Sequence, residues 1–126
     1  MSDLVTLRMF IDGEWCDASD GRSLTTADPS TAATWARFPA ATAADVDRTV
    51  RAAHRAMHDG AWATATATQR GKALRRMAES LASRAEQIAL TETRDTGKLL
   101  RETRATTNYI AEYYDYFAGA ADKLQG

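Results

Sequence analysis

The segment that most constrains this chain is Glu92 to Gly126, where a helix halted by a glycine turn leads into a second, aromatic-rich helix. Gly97 supplies a left-handed residue without a Cβ clash, and Lys98 stands where the carbonyl end of a helix dipole attracts a cation. Asp95-Thr96-Gly97-Lys98 therefore reads as a helix stop. Beyond it Ile110, Tyr114, Phe117, Ala121 and Leu124 recur at alternating steps of four and three, and Tyr109, Tyr113, Tyr116 and Ala120 widen the stripe. So wide an apolar face calls for partners on two sides. Two upstream helices are expected to bury only part of it, leaving an aromatic patch larger than monomers usually expose and a chain that self-associates or packs loosely.

The rest of the chain is short. At 126 residues it is about one domain in size. Its 44% hydrophobic and 26% charged content fits an ordinary soluble globule, and a net charge of -1 exerts no pull toward nucleic acid or anionic membrane. The start, MSDLVTLRMF, has no charged lead followed by a long apolar run, and no window approaches the ~18 apolar residues of a membrane span. A cytoplasmic location is the expectation. Cys16 is the single cysteine, which excludes an intrachain disulfide and a cysteine-rich metal site.

In MFIDGEWC, residues 9 to 16, two runs of strand-formers flank Asp12-Gly13, a pair that tolerates positive φ at both turn positions of a type I′ hairpin. A second extended pair, Ser23 to Ala27 and Thr34 to Phe38, is joined by Asp28-Pro29-Ser30-Thr31-Ala32, with Pro29 presetting φ for the turn. From Thr42 the period changes. Thr42 caps a helix with Asp45 three residues on, and Val46, Val50, Ala53 and Met57 form its stripe until His58-Asp59-Gly60 ends it. Residues 61 to 68, AWATATAT, read as a loop around Trp62. Thr66-Ala67-Thr68-Gln69 is a capping box for a second helix, with Leu74, Met77, Leu81, Ala85 and Ile88 on one stripe. Arg70, Lys72, Arg75, Arg76 and Arg84 cover much of its remaining surface. Glu79 and Glu86 are interleaved with them and no exposed aromatic accompanies them, so they read as a solvated face rather than a nucleic-acid site. The order is two hairpin-like strand pairs and then three α-helices, an α+β arrangement.

FIDGEW, the DPST turn, the second capping box, ETRDTGKLLRE and YFAGAADKLQG, taken in that order, resemble the N-terminal region of the NAD(P)-dependent aldehyde dehydrogenase superfamily across essentially the whole chain. The parent fold that this implies is α/β. The resemblance places residues 1–40, the β-hairpins, in an oligomerisation region, and residues 41–126 in a helical part that precedes a Rossmann-like cofactor domain. It implies oxidation of an aldehyde to an acid with NAD or NADP, and a homo-oligomer in the complete enzyme. The family pattern carries glycine where this chain has Ala32, a departure that leaves the turn type open.

In that family a cysteine thiolate attacks the aldehyde, hydride leaves to NAD(P), and a glutamate activates the hydrolytic water. By the resemblance all of these lie beyond the matched region, so no catalytic or cofactor-binding residue is assigned and none of that chemistry is expected of this chain alone. Cys16 reads as a small apolar strand residue, with no neighbouring His or helix N-terminus in the sequence. The glycines, at 13, 21, 60, 71, 97, 119 and 126, contain no G-x-G-x-x-G. His54 and His58, four apart, have a metal-compatible spacing but neither an H-E-x-x-H pattern nor a third ligand, and read as polar residues flanking the first helix stripe. The resemblance also implies a monovalent-cation site formed by the backbone carbonyls of Thr26 and Asp95, although Asp95 reads equally well as part of the turn before Gly97. Unsatisfied carbonyls at a helix C-terminus suit a hard cation. A non-catalytic helical interaction module, binding a protein through its tyrosine-rich face, is the alternative reading.

Overall fold

Asp12 and Gly13 both take left-handed backbone, φ 55° and 85°, and close a two-residue hairpin between β2 (Met9–Ile11) and β3 (Glu14–Cys16). Ile11 lies opposite Glu14, the register that a type I′ turn imposes. The computed structural model describes residues 4–123, and Leu124, the last position of the expected aromatic stripe, lies outside them. The chain divides between Ala63 and Thr64 into two compact units.

The first unit holds the five strands found among the described residues and the first helix. β4 (Ser23–Ala27) and β5 (Thr34–Pro39) pair antiparallel as the sequence reads, and Trp35 and Ala36 of β5 are buried. A strand that sequence reading does not find, β1 (Val5–Thr6), pairs parallel with β5 and makes it the central strand of the order β1-β5-β4. Two residues carry too little pattern to be seen without their partner. The turn after β4 is held by the Asp28 carbonyl, which accepts from the N–H of Thr31 at 3.2 Å and of Ala32 at 2.7 Å. Ala32 sits at φ 56°, left-handed backbone that favours glycine.

Helix α1 (Ala43–His58) opens on a capping box in which the Thr42 hydroxyl accepts from the Asp45 N–H and Asp45 Oδ2 accepts from the Thr42 N–H at 3.0 Å. Its expected stripe is not its buried side. Val46, Val50 and Met57 are more than half exposed, while Asp45 and Ala52 are buried. The small residues Thr49, Ala52, Ala53 and Ala56 face the hairpin and line a hollow with Phe10 and Ile11, because a short hairpin approaches a helix closely only where side chains are small. Trp62 lies in a four-residue helix, α2 (Ala61–Thr64), rather than in an open loop.

In the second unit the expected single helix from the Thr66 cap to Thr96 is two, α3 (Ala67–Ser83) and α4 (Ala85–Thr96), so among the described residues the three expected helices become four, and five with the short α2. The break has a local cause. The Ser83 hydroxyl donates to the Ser80 carbonyl at 3.0 Å, the acceptor a continuing helix would offer to Arg84, and the Arg84 N–H turns to Leu81 O instead. Gly97 ends α4 at φ 76°, with its N–H on Thr93 O at 2.9 Å, as the stop signal requires.

Helix α5 (Leu100–Ala120) departs most from expectation. Its buried positions are Thr103, Thr107, Ala111 and Ala118, whereas Ile110 and Phe117 are exposed and Tyr114 is only half-buried. The reason is close helix approach: a Cβ on Gly71 of α3 would stand 2.7 Å from the Ala118 carbonyl oxygen. At that separation only small side chains fit between the backbones. The buried hydroxyls are satisfied, Thr107 donating to Thr103 O at 2.8 Å and Thr103 pairing with Thr93 Oγ1 at 2.8 Å. Arg104 clamps α5 to α4 by two bonds to Glu86, at 2.7 and 2.6 Å.

Candidate functional site

The residues singled out for cation binding fall in different units. Thr26 is a half-buried β4 residue opposite Ala36, beside a register shift at Thr26 and Ala27. Asp95 is exposed in the last turn of α4. Side chains already engage part of that helix end: the Thr96 hydroxyl donates to Glu92 O at 2.7 Å, and Lys98 Nζ meets the Glu92 carboxylate at 2.6 Å.

Cys16 ends β3 opposite Met9 and is half-buried. A neighbour 32 residues away escapes sequence reading: Arg48 Nη2 of α1 donates to Cys16 Sγ at 3.3 Å and also reaches Asp45 Oδ1 at 3.4 Å. Asp45 ties the loop after β3 to the start of α1, since its Oδ2 accepts from the N–H and hydroxyl of Ser19 at 3.1 and 3.2 Å. The Thr42 and Ser19 backbone N–H groups, helped by their hydroxyls, hold the Asp45 carboxyl down at about 2.

The rings of His54 and His58 lie 4.2 Å apart, tilted by 36°. Among the described residues no group of three or more His, Cys, Asp and Glu is placed to hold a metal ion. The passage from strand to helix, β5 to α1, runs through Pro39-Ala40-Ala41-Thr42 and contains no glycine. That turn does not fit a dinucleotide pyrophosphate, which needs glycine for close backbone approach.

One concave feature gathers aromatic and charged groups. Tyr109, Glu112, Tyr113 and Tyr116 of α5 line an open hollow of about 420 Å³. Tyr109 and Tyr113 stand edge to face with centroids 4.6 Å apart, and the Tyr109 hydroxyl donates to that of Tyr113 at 3.1 Å. This hydrogen bond, then partial burial and the negative Glu112, push the Tyr109 phenol pKa up. The sequence reading found the tyrosines as the flank of a core stripe. Glu112 carried no signal of its own, being one acidic residue on a helix.

The sequence model of the aldehyde dehydrogenase family matches residues 15–126. A curated relative, the (Z)-2-((N-methylformamido)methylene)-5-hydroxybutyrolactone dehydrogenase of Acinetobacter baylyi, is 40% identical over 119 residues, which are 94% of this chain and 24% of the relative. Among solved structures, an NAD-dependent aldehyde dehydrogenase from Sinorhizobium meliloti superposes with a TM-score of 0.94 at 28% identity, over 99% of this chain and 25% of its own. A betaine aldehyde dehydrogenase from Staphylococcus aureus, solved in complex with NAD+, gives 0.90 at 35% identity over 95% of this chain and 24% of its own. The chain thus spans about a quarter of the length of the relatives it matches. No helix among the described residues is long and apolar enough to cross a membrane.

Proposed function

The chain belongs to the aldehyde dehydrogenase family, and we propose that it is the N-terminal quarter of an NAD(P)-dependent enzyme that oxidises an aldehyde to a carboxylic acid. The observation that carries this reading is the family match over residues 15–126, supported by superposition on the Sinorhizobium enzyme at a TM-score of 0.94. The nucleophile, the activating carboxylate and the pyrophosphate turn belong to the remaining three quarters.

This chain's own contribution is scaffolding. Residues 1–40 supply the hairpins of the oligomerisation region of a cytoplasmic homo-oligomer, and residues 41–126 the helices that precede the Rossmann-like domain. The uncovered apolar side chains support this role: Phe10 and Trp15 on the hairpin, Val46, Val50 and Met57 on α1, and Tyr109, Tyr113, Tyr116 and Phe117 on α5 are all between 46% and 72% exposed, surface suited to further polypeptide.

The test is calorimetric titration of the 126-residue chain with NAD and NADP, followed by mixing with the separately expressed remainder of the open reading frame. The chain alone is expected to bind neither nucleotide, to bind a hydrophobic dye and to self-associate, and the mixture to reduce NAD(P) with aldehyde. Micromolar nucleotide binding by the chain alone, or a mixture that assembles without any aldehyde-dependent reduction, refutes the reading.

A further inference from the structure

Strand pairing in the first unit gathers a set of polar groups that the scaffold does not use. Register puts Thr6 of β1 beside Arg37 of β5, and Ser23 of β4 opposite Pro39, two residues further along the same strand, so these positions share one face of the sheet. With Asp17 and Arg22 from the loop between β3 and β4 they line a hollow of about 270 Å³. It shares no residue with the uncovered apolar side chains of the hairpin, α1 and α5, and its chemistry is independent of the oxidation proposed above. Its donors lack acceptors. Among the described residues the Arg37 guanidinium and the hydroxyls of Thr6 and Ser23 have no hydrogen-bond or ion-pair partner. Arg22 is held by Asp20, which accepts from its Nε at 2.6 Å and from its backbone N–H at 3.0 Å, and this leaves both Nη groups unused. Asp17 is the one acid in the lining, and Arg8 stands 3.4 Å from it. Leu7, Phe38 and Pro39 supply an apolar wall.

These features select the ligand. A cation would meet two guanidiniums against one carboxylate that already has a partner. A neutral group leaves the planar fork of Arg37 without the charge-assisted pair it is shaped to make. A phosphate dianion is repelled by Asp17 about twice as strongly as a monoanion, and it leaves the apolar wall to water. A monocarboxylate with a short hydrocarbon body satisfies the fork, the hydroxyls and the wall together. The volume sets its size, since pockets for drug-sized ligands begin at about 300 Å³. We propose that Arg37, Arg22, Ser23 and Thr6 form a binding site for a small organic monocarboxylate, with Arg37 as its bidentate partner and the apolar wall against its hydrocarbon end.

The experiment is a ligand-observed NMR titration by saturation transfer, at constant ionic strength, of the 126-residue chain alone and of the chain assembled with the separately expressed remainder. The probes are sodium butyrate, its neutral isostere butyramide, and sodium phosphate as competitor. Butyrate is expected to give a saturable response in both samples and butyramide none, with phosphate displacing butyrate only when in large excess. Arg37→Gln, at an exposed position where circular dichroism can verify an unchanged fold, is expected to weaken butyrate binding about tenfold. Arg37→Lys, which keeps the charge and loses the fork, is expected to weaken it about threefold. Asp17→Asn is expected to tighten it about twofold, a gain that damage to the fold cannot produce. A response absent from both samples, or unchanged in Arg37→Gln, refutes the site, and weaker binding in Asp17→Asn overturns the charge argument. An equal response to butyramide would reduce the hollow to an apolar patch, and displacement by equimolar phosphate would overturn the choice of an organic acid. Binding present in the chain and lost on assembly would assign the hollow to contact with the remainder instead.

Discussion

Gly71→Ala is the most discriminating perturbation of this structure, because two known effects act on it with opposite sign. Gly71 lies inside α3, and in an unobstructed helix interior alanine is better than glycine by about 1 kcal/mol. Here the added methyl would stand 2.7 Å from Ala118 O and 3.5 Å from Ala121 Cβ. Comfortable carbon contacts are near 3.5 Å, so the helices must part by roughly half an ångström or more. The obstacle is backbone carbonyl of a packed helix, which cannot swing aside as a long side chain does. Overpacking of this kind costs about 1–3 kcal/mol, which offsets the propensity gain and leaves a net loss of about 1 kcal/mol. In a chain of this size that lowers the melting midpoint by about 3–5 °C. Gly119→Ala is the matched control, since Gly119 is also helical but its nearest obstacle to a Cβ is the Arg75 guanidinium at 4.0 Å. It should raise the midpoint, by about 0.5 kcal/mol so near the helix end. Thermal melts followed at the helical circular dichroism band read both variants. A Gly71→Ala midpoint equal to or above that of the parent would mean that α3 and α5 are free to separate, and would refute the packing argument.

Three further outcomes are expected. Gly97→Ala places a Cβ at φ 76° and should destabilise the chain by about 1 kcal/mol in the same melts; an unchanged midpoint would contradict the cap. Ala32→Gly should act in the opposite direction, because relief of left-handed strain of about 1–2 kcal/mol exceeds the extra unfolded-state entropy of glycine, giving a net gain of about 0.5 kcal/mol in urea titrations. Asp45 sets an acid limit: its folded pKa is depressed from 3.8 to about 2, so its contribution is complete above about pH 4 and disappears as pH falls from there through 2. Asp45→Asn should therefore lower stability at neutral pH and flatten the loss between pH 4 and 2, read from melts across that range, and an acid limb of undiminished steepness would rule the network out.

What sequence determines here is local in origin. The Asp12-Gly13 turn, the Thr42 and Thr66 capping boxes and the Gly97 stop appear in the structure as read, because each depends on a few neighbouring residues whose side-chain oxygens or missing Cβ act on their own backbone. The β4–β5 pair was equally legible, since turn chemistry and strand propensity agree there. The tyrosines of the α5 face were visible as residues but assigned to the flank of a core.

What tertiary structure decided is which face each helix buries. Periodicity places Ile110, Tyr114 and Phe117 on one side of α5, but the packed side is Thr103, Thr107, Ala111 and Ala118, since Gly71 brings a neighbouring backbone too close for larger side chains. Val46, Val50 and Met57 likewise stand exposed on α1, whose small residues face the hairpin instead. The contact of Arg48 with Cys16 spans 32 residues and the pairing of β1 with β5 about as many, separations over which no sequence pattern carries information. A hydrophobic stripe states that a face wants burial. The distance of closest approach between backbones, fixed by a glycine on another helix, decides which residues are small enough to be there.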